Sequence, residues 1–143
     1  MTVTVEYSVV AAFILDDPIA GVLDNTVYTL DGEKFESVTA DLVTASITRG
    51  KNRELDRFRS GTGSLEFRND QRQFDPQYDA GALYNNLVPM RPIRVNVDGK
   101  RIFTGLVDDF NYSYTPKPES KAQLAVSDEL SLLAREELTA LPV

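Results

Sequence analysis

Short runs in which apolar and polar residues alternate one for one recur along this chain, and they constrain its fold more than any other feature. Val3, Val5, Tyr7 and Val9 alternate with Thr4, Glu6 and Ser8; Val43, Ala45 and Ile47 with Thr44, Ser46 and Thr48. Leu65 and Phe67 alternate with Ser64, Glu66 and Arg68, and Ile93, Val95 and Val97 with Arg94 and Asn96. A period of two places each apolar set on one face of an extended segment. The runs therefore predict half-buried antiparallel strands. After Val9 the apolar residues become continuous as far as Leu15, where Asp16, Asp17 and Pro18 stop them, so the far half of that first strand is expected to be buried on both faces.

Turn residues separate the runs. Asp98 and Gly99 suit a two-residue hairpin joining Ile93–Val97 to a long returning strand, Arg101–Tyr114. Within that strand Ile102, Thr104 and Leu106 share one face, whereas Phe110, Tyr112 and Tyr114 alternate later. Gly105 and the Asp108-Asp109 pair lie between them, which predicts a bulge or bend. Further strands are expected over about Thr26–Leu30, ended by the turn pair Asp31-Gly32, and over Thr39–Thr48, Thr62–Arg68 and Ala122–Val126. Gln71–Pro89 reads as a long loop pinned by Phe74, Tyr78, Leu83, Tyr84 and Leu87, a length that usually accompanies function. Near the end, Leu130, Leu133, Ala134 and Leu138 recur at helical spacing behind Ser127, a suitable cap, with Asp128 and Glu129 at the positive end of the helix dipole. The expected whole is one domain over residues 1–143, mainly β: a small antiparallel barrel or split barrel with one C-terminal helix plugging an end. A β-sandwich is the competing arrangement.

Composition closes off most chemistry. With no cysteine and no histidine, the chain has no thiolate nucleophile, disulfide, Cys-type zinc site, histidine metal ligand or histidine general base. No cofactor, no metal and no catalytic residue is expected, and the chain is read as a non-enzyme; a glycosidase-type carboxylate pair is the residual alternative. The N-terminal apolar run lacks a basic start, the first lysine being Lys34, and is far short of the roughly 20 residues of a membrane helix. Neither export nor membrane insertion is expected.

Charge is unevenly placed. Residues 49–72 carry a net +3 in a chain whose total is −7, which leaves −10 on the remainder. Arg49, Arg53, Arg57 and Arg59, interleaved with Glu54 and Asp56, form a basic arm that Leu55 and Phe58 would anchor. These eight residues are the expected subunit-interface contacts. The alternative is a solvated loop whose mixed charges pair locally. Asn69, Asp70, Arg72, Phe74 and Asp75 are expected instead to fix a turn, with Phe74 in the core and Asp75 capping nearby backbone.

Four segments carry a resemblance to a known family. VLDNTVYTL (22–30), ITRGKNRELDRFRSGTGSLEFRNDQRQFDP (47–76), LYNNLVPMRPIRV (83–95) and FTGLVDDFNYSY (103–114) together resemble minor tail proteins of long-tailed bacteriophages. Lys51 stands where that family usually has Arg or Ser, and Asp70-Gln71-Arg72 replaces a tighter Asp-Arg pair. The resemblance implies a structural role at the tail tip or baseplate, in a ring or hub that joins the tail tube to host-recognition components. It implies as partners further copies of the chain, as a trimer or hexamer, and neighbouring tail proteins, without sequence-specific nucleic-acid binding. Its place would be the virion tail, and the host cytoplasm during assembly. A basic arm facing an acidic body suits the heterologous contacts of such a ring. The competing function is a glycan-binding module using the aromatic loop and the Tyr112–Tyr114 pair.

Overall fold

The computed structural model describes residues 1–10, 15–19, 21–23, 33–49, 60–115 and 120–135. They form a mainly β structure with strands β1 (Val3–Val10), β2 (Glu33–Ser37), β3 (Leu42–Thr48), β4 (Thr62–Arg68), β5 (Pro92–Val97), β6 (Lys100–Ser113) and β7 (Lys121–Asp128), followed by a short helix α1 (Leu130–Arg135). All pairings are antiparallel, in the order β2-β1-β5-β6-β7-β4-β3. The expected strand at Thr26–Leu30, the Asp31-Gly32 turn and the helical position Leu138 lie outside the described residues. β2, which sequence periodicity did not single out, pairs with β1 from Glu6↔Ser37 to Val10↔Glu33.

The long strand β6 divides the sheet. Its first part, Lys100–Leu106, pairs with β5, and its second, Gly105–Ser113, pairs with β7. Only Gly105 and Leu106 belong to both ladders. The expected irregularity is present as a register shift between Val107 and Asp109. The buried face of the first part is Phe103, Gly105 and Val107, the complement of the Ile102, Thr104 and Leu106 set. Beyond the shift Phe110 pairs with buried Leu124, and Tyr112 with buried Ala122, so the even-numbered aromatics take over the inner face. A Cβ on Gly105 would lie 2.3 Å from the Ser127 carbonyl oxygen, so the crossing point requires glycine.

The two half-sheets enclose one core. Val5 and Tyr7 of β1, Ile93 and Val95 of β5, Val107 of β6, Leu124 and Val126 of β7, and Leu65 and Phe67 of β4 are all buried. The sheet curls far enough that Ala45 and Ile47 of β3 share a hollow of about 220 Å³ with Val3, Val95 and Ile102. Arg49 follows that curl, its Nη2 donating to the Ile102 carbonyl at 3.2 Å. β2 and β3 nevertheless do not pair with each other among the described residues, so the sheet is open at both ends. It is a strongly curled open sheet, close to the sandwich arrangement.

Val9 and Ser8 point to opposite faces of β1, and both are buried; residues 11–14, on which the expectation of two-sided burial falls, lie outside the described residues. Leu15, by contrast, is 77% exposed. The Asp98-Gly99 hairpin is as expected: both residues have positive φ, 49° and 76°, as a type I′ turn needs. At the other end of the molecule Asp128, and not Ser127, caps α1. Its Oδ1 accepts the Leu130 N–H at 3.1 Å, while its Oδ2 accepts the Gly61 N–H at 2.6 Å. The Ser127 hydroxyl instead pairs with that of Ser131 at 2.9 Å.

Candidate assembly and binding surfaces

Residues 69–86 wind through successive turns. The N–H groups of Arg72, Asp75, Tyr78, Gly81 and Tyr84 each bond the carbonyl three residues back, at 3.0 to 3.1 Å, and Asn86 bonds Leu83 at 2.9 Å. Side chains lock the first turns. The buried Asn69 accepts the Phe74 N–H at 3.0 Å, and Asp75 accepts the Gln77 N–H at 2.9 Å and Arg72 Nε and Nη2 at 2.8 and 2.7 Å. Asp70 accepts the Ser120 N–H at 3.3 Å, tying the turn to the start of β7. Phe74 is fully buried, its ring stacked on Phe67 at 4.6 Å. The turn-fixing roles expected for these residues are thus the ones they take. Leu83 and Leu87 enter the core as well, and the Tyr7 hydroxyl reaches across from β1 to the Asn86 carbonyl at 2.8 Å. The loop is a plug held by the sheet.

Beside this plug the end of β6 makes a hollow of about 480 Å³, lined by Arg72, Asp75, Pro76, Gln77, Tyr112 and Tyr114. The rings of Phe110, Tyr112 and Tyr114 follow one another along the strand at 6.1 and 6.2 Å. Tyr112 also lines a smaller hollow with Glu66, Asn111, Lys121 and Gln123, and Arg72 lines a larger one with Tyr78. In the two hollows that Tyr112 lines the ions are paired: Arg72 to Asp75 at 2.7 Å and Lys121 to Glu66 at 2.7 Å. Asp75 is held below the usual carboxylate range by the Gln77 N–H and by Arg72 and the Tyr114 hydroxyl, against the opposing effect of burial. Burial, with the nearby Tyr114, Asp75 and Asp109, pushes Tyr112 up to about 12. No group of His, Cys, Asp or Glu side chains that would hold a metal ion occurs among the described residues.

The sheet's two edges differ in character. β2 (EKFES) carries an exposed Lys34–Glu36 pair at 2.5 Å, and Phe35 lies under the Arg94 guanidinium, 3.4 Å from the ring centroid. β3 (LVTASIT) has no charged residue, and its consecutive residues Val43 to Ser46 are exposed on both faces. A register shift between Leu42 and Thr44 leaves Val43 outside the ladder and 50% exposed, while Leu42 turns toward the core in its place. Of the expected interface residues, Arg49 lies just past β3 and is exposed. Arg53, Glu54, Leu55, Asp56, Arg57, Phe58 and Arg59 lie outside the described residues.

No family model and no curated protein matches the chain. Among solved structures, it is similar to the 43 kDa tail protein of prophage MuSo2 from Shewanella oneidensis. The two share 20% sequence identity with a TM-score of 0.49, over 97% of this chain and 32% of that one. The chain therefore spans about a third of that protein's length.

Sequence reasoning found the turn residues and paired the aromatic loop with Tyr112 and Tyr114 in its glycan-binding alternative, but it found neither the hollow between them nor the contrast between edges. The hollow joins residues 72–77 to residues 112–114, and only the fold brings these together. The contrast was legible in principle, because EKFES and LVTASIT differ openly in charge, but only strand order identifies them as edges.

Proposed function

We propose that this protein is a structural subunit of a bacteriophage tail, assembling with copies of itself and with neighbouring tail proteins into a ring or hub that joins the tail tube to host-recognition components. In this reading it has no catalytic role. The observation that carries it is the β3 edge: seven uncharged residues, of which Val43 to Ser46 and Thr48 are exposed, without a further strand among the described residues, and leading directly into Arg49 and the basic segment. Proteins that stay monomeric blunt such edges with charge or cover them, as β2 does with Lys34 and Glu36. An unblunted edge on one side and a charged one on the other suits head-to-tail contacts, which close into rings. The resemblance of residues 14–138 to minor tail proteins supplies the setting.

The test is the mass of the native assembly, measured by light scattering and electron microscopy with and without neighbouring tail proteins. Ring-sized particles are expected, and the exposed-site double variant Thr44→Lys/Ser46→Lys should stay folded but fail to form them. A wild-type chain that remains a monomer and joins nothing would overturn the reading.

A further inference from the structure

We infer that the hollow between the end of β6 and the Arg72–Asp75 turn is a binding site for a neutral saccharide. A sugar ring presents apolar C–H faces and a rim of hydroxyl groups, so its sites combine exposed aromatic surface with closely set donors and acceptors, a few polar groups fixing orientation. The hollow has both parts. Tyr114 is 60% exposed, with the partly buried Tyr112 stacked behind it at 6.2 Å, a spacing comparable with that of successive rings in an extended oligosaccharide. Around them stand the exposed side chains of Gln77, Asn111 and Gln123.

Charge decides the ligand class. Asp75, only 5% exposed, already holds Arg72 in a two-pronged pair, and Glu66 holds Lys121. An anionic ligand such as a phosphate or an acidic peptide would meet cations whose charge a carboxylate already neutralises. A cationic ligand would meet the same obstacle at each carboxylate. What remains for a ligand is aromatic surface and neutral hydrogen-bonding groups, among which Gln123 already donates its Nε2 to Ser64 Oγ at 2.8 Å. Arg72 Nε and Nη2 are committed to Asp75, yet its side chain is 54% exposed, so the ion pair can offer the remaining N–H groups beside a fixed carboxylate to adjacent hydroxyls. A proline-rich peptide also uses aromatic grooves, but those are apolar slots, whereas this wall is rich in amides and paired ions.

The inference does not depend on ring assembly, because every residue it uses lies within one chain. Its test is titration of the full chain with the neutral hexasaccharides maltohexaose, cellohexaose and chitohexaose, alongside an acidic oligogalacturonide and a proline-rich peptide. Binding is followed by calorimetry and by tyrosine fluorescence, which no tryptophan obscures in this chain. At least one neutral hexasaccharide should bind, and Tyr114→Ala, at a largely exposed position, should weaken that binding at least tenfold. Gln77→Ala should weaken it too. Failure of all three neutral sugars, equal binding by Tyr114→Ala, or tighter binding of the acidic sugar or the peptide would overturn the assignment.

Discussion

Replacing Gly105 by alanine should be among the most damaging single-methyl additions in the molecule. The new Cβ would sit 2.3 Å from the Ser127 carbonyl oxygen and 2.7 and 2.8 Å from two ring carbons of Phe103, where ordinary contact begins at 3.4 Å. Phe103 can yield by rotating, but Ser127 is backbone in β7, paired with Leu106. Relief therefore needs the strands to part by 3.4 − 2.3 = 1.1 Å. That would forfeit about two ladder hydrogen bonds, worth roughly 1 kcal/mol each. Overpacking strain adds about 1–3 kcal/mol, and the gain from removing a flexible glycine returns less than about 1 kcal/mol. The net cost is about 3 kcal/mol, a large part of a typical stability of roughly 5–15 kcal/mol. Urea unfolding followed by circular dichroism measures it. Gly99→Ala is the internal control: nothing lies within 4 Å of its Cβ, and only its φ of +76° resists, at about 1–2 kcal/mol. If Gly105→Ala lost less than about 1 kcal/mol, or less than Gly99→Ala, the close crossing of β6 and β7 would be wrong.

Asp75→Ala should lower stability by about 2–3 kcal/mol, since it removes two charge-assisted bonds to Arg72 and the Gln77 cap. Because the folded-state pKa of Asp75 is depressed, its contribution is present above about pH 4, the unfolded value. It disappears as pH falls through the folded value, so wild type and variant should converge in stability in acid; a constant gap would count against the pairing. Tyr112, raised to about 12 mainly by burial, should remain protonated when exposed tyrosines ionise near pH 10. Its contribution to stability is intact below about 10 and lost as pH rises toward about 12, so tyrosinate absorbance should rise in two steps, the later one coinciding with unfolding. A single early step with the fold intact would refute its burial.

Where one face of a strand is buried and the other wet, as in β4 with Leu65 and Phe67 inside, alternation identifies both the strand and its orientation. β6 defeats that logic, because Ile102 and Leu106 are as apolar as Phe103 and Val107, and only the pairing with β5 chooses between the sets. β2 was hidden for the opposite reason: an edge strand with charged residues and one aromatic has little periodicity to read. The turn at Asn69–Asp75 was legible because those residue types bond their own neighbouring backbone. Of the tyrosine hollow, the Tyr112–Tyr114 pair was legible, but its junction with Arg72–Gln77 was not, because the halves lie on separate segments.

The strand order also sets a timetable. Val3 pairs with Val97, so 97 − 3 = 94 further residues must be made before β1 meets β5. At roughly 5–20 residues per second, that delay is on the order of 5–20 s on the ribosome. β4 likewise waits for β7, its Arg68 for Lys121. The hairpin of β5 and β6 is the tightest local pairing, closing directly across Asp98-Gly99. It is therefore the natural seed on which β1 with β2 settles from one side and β7 with β4 and β3 from the other. Until that hairpin emerges, the apolar face of β1 lacks its β5 neighbour, which makes the nascent chain most vulnerable to aggregation before Ser113 has been made.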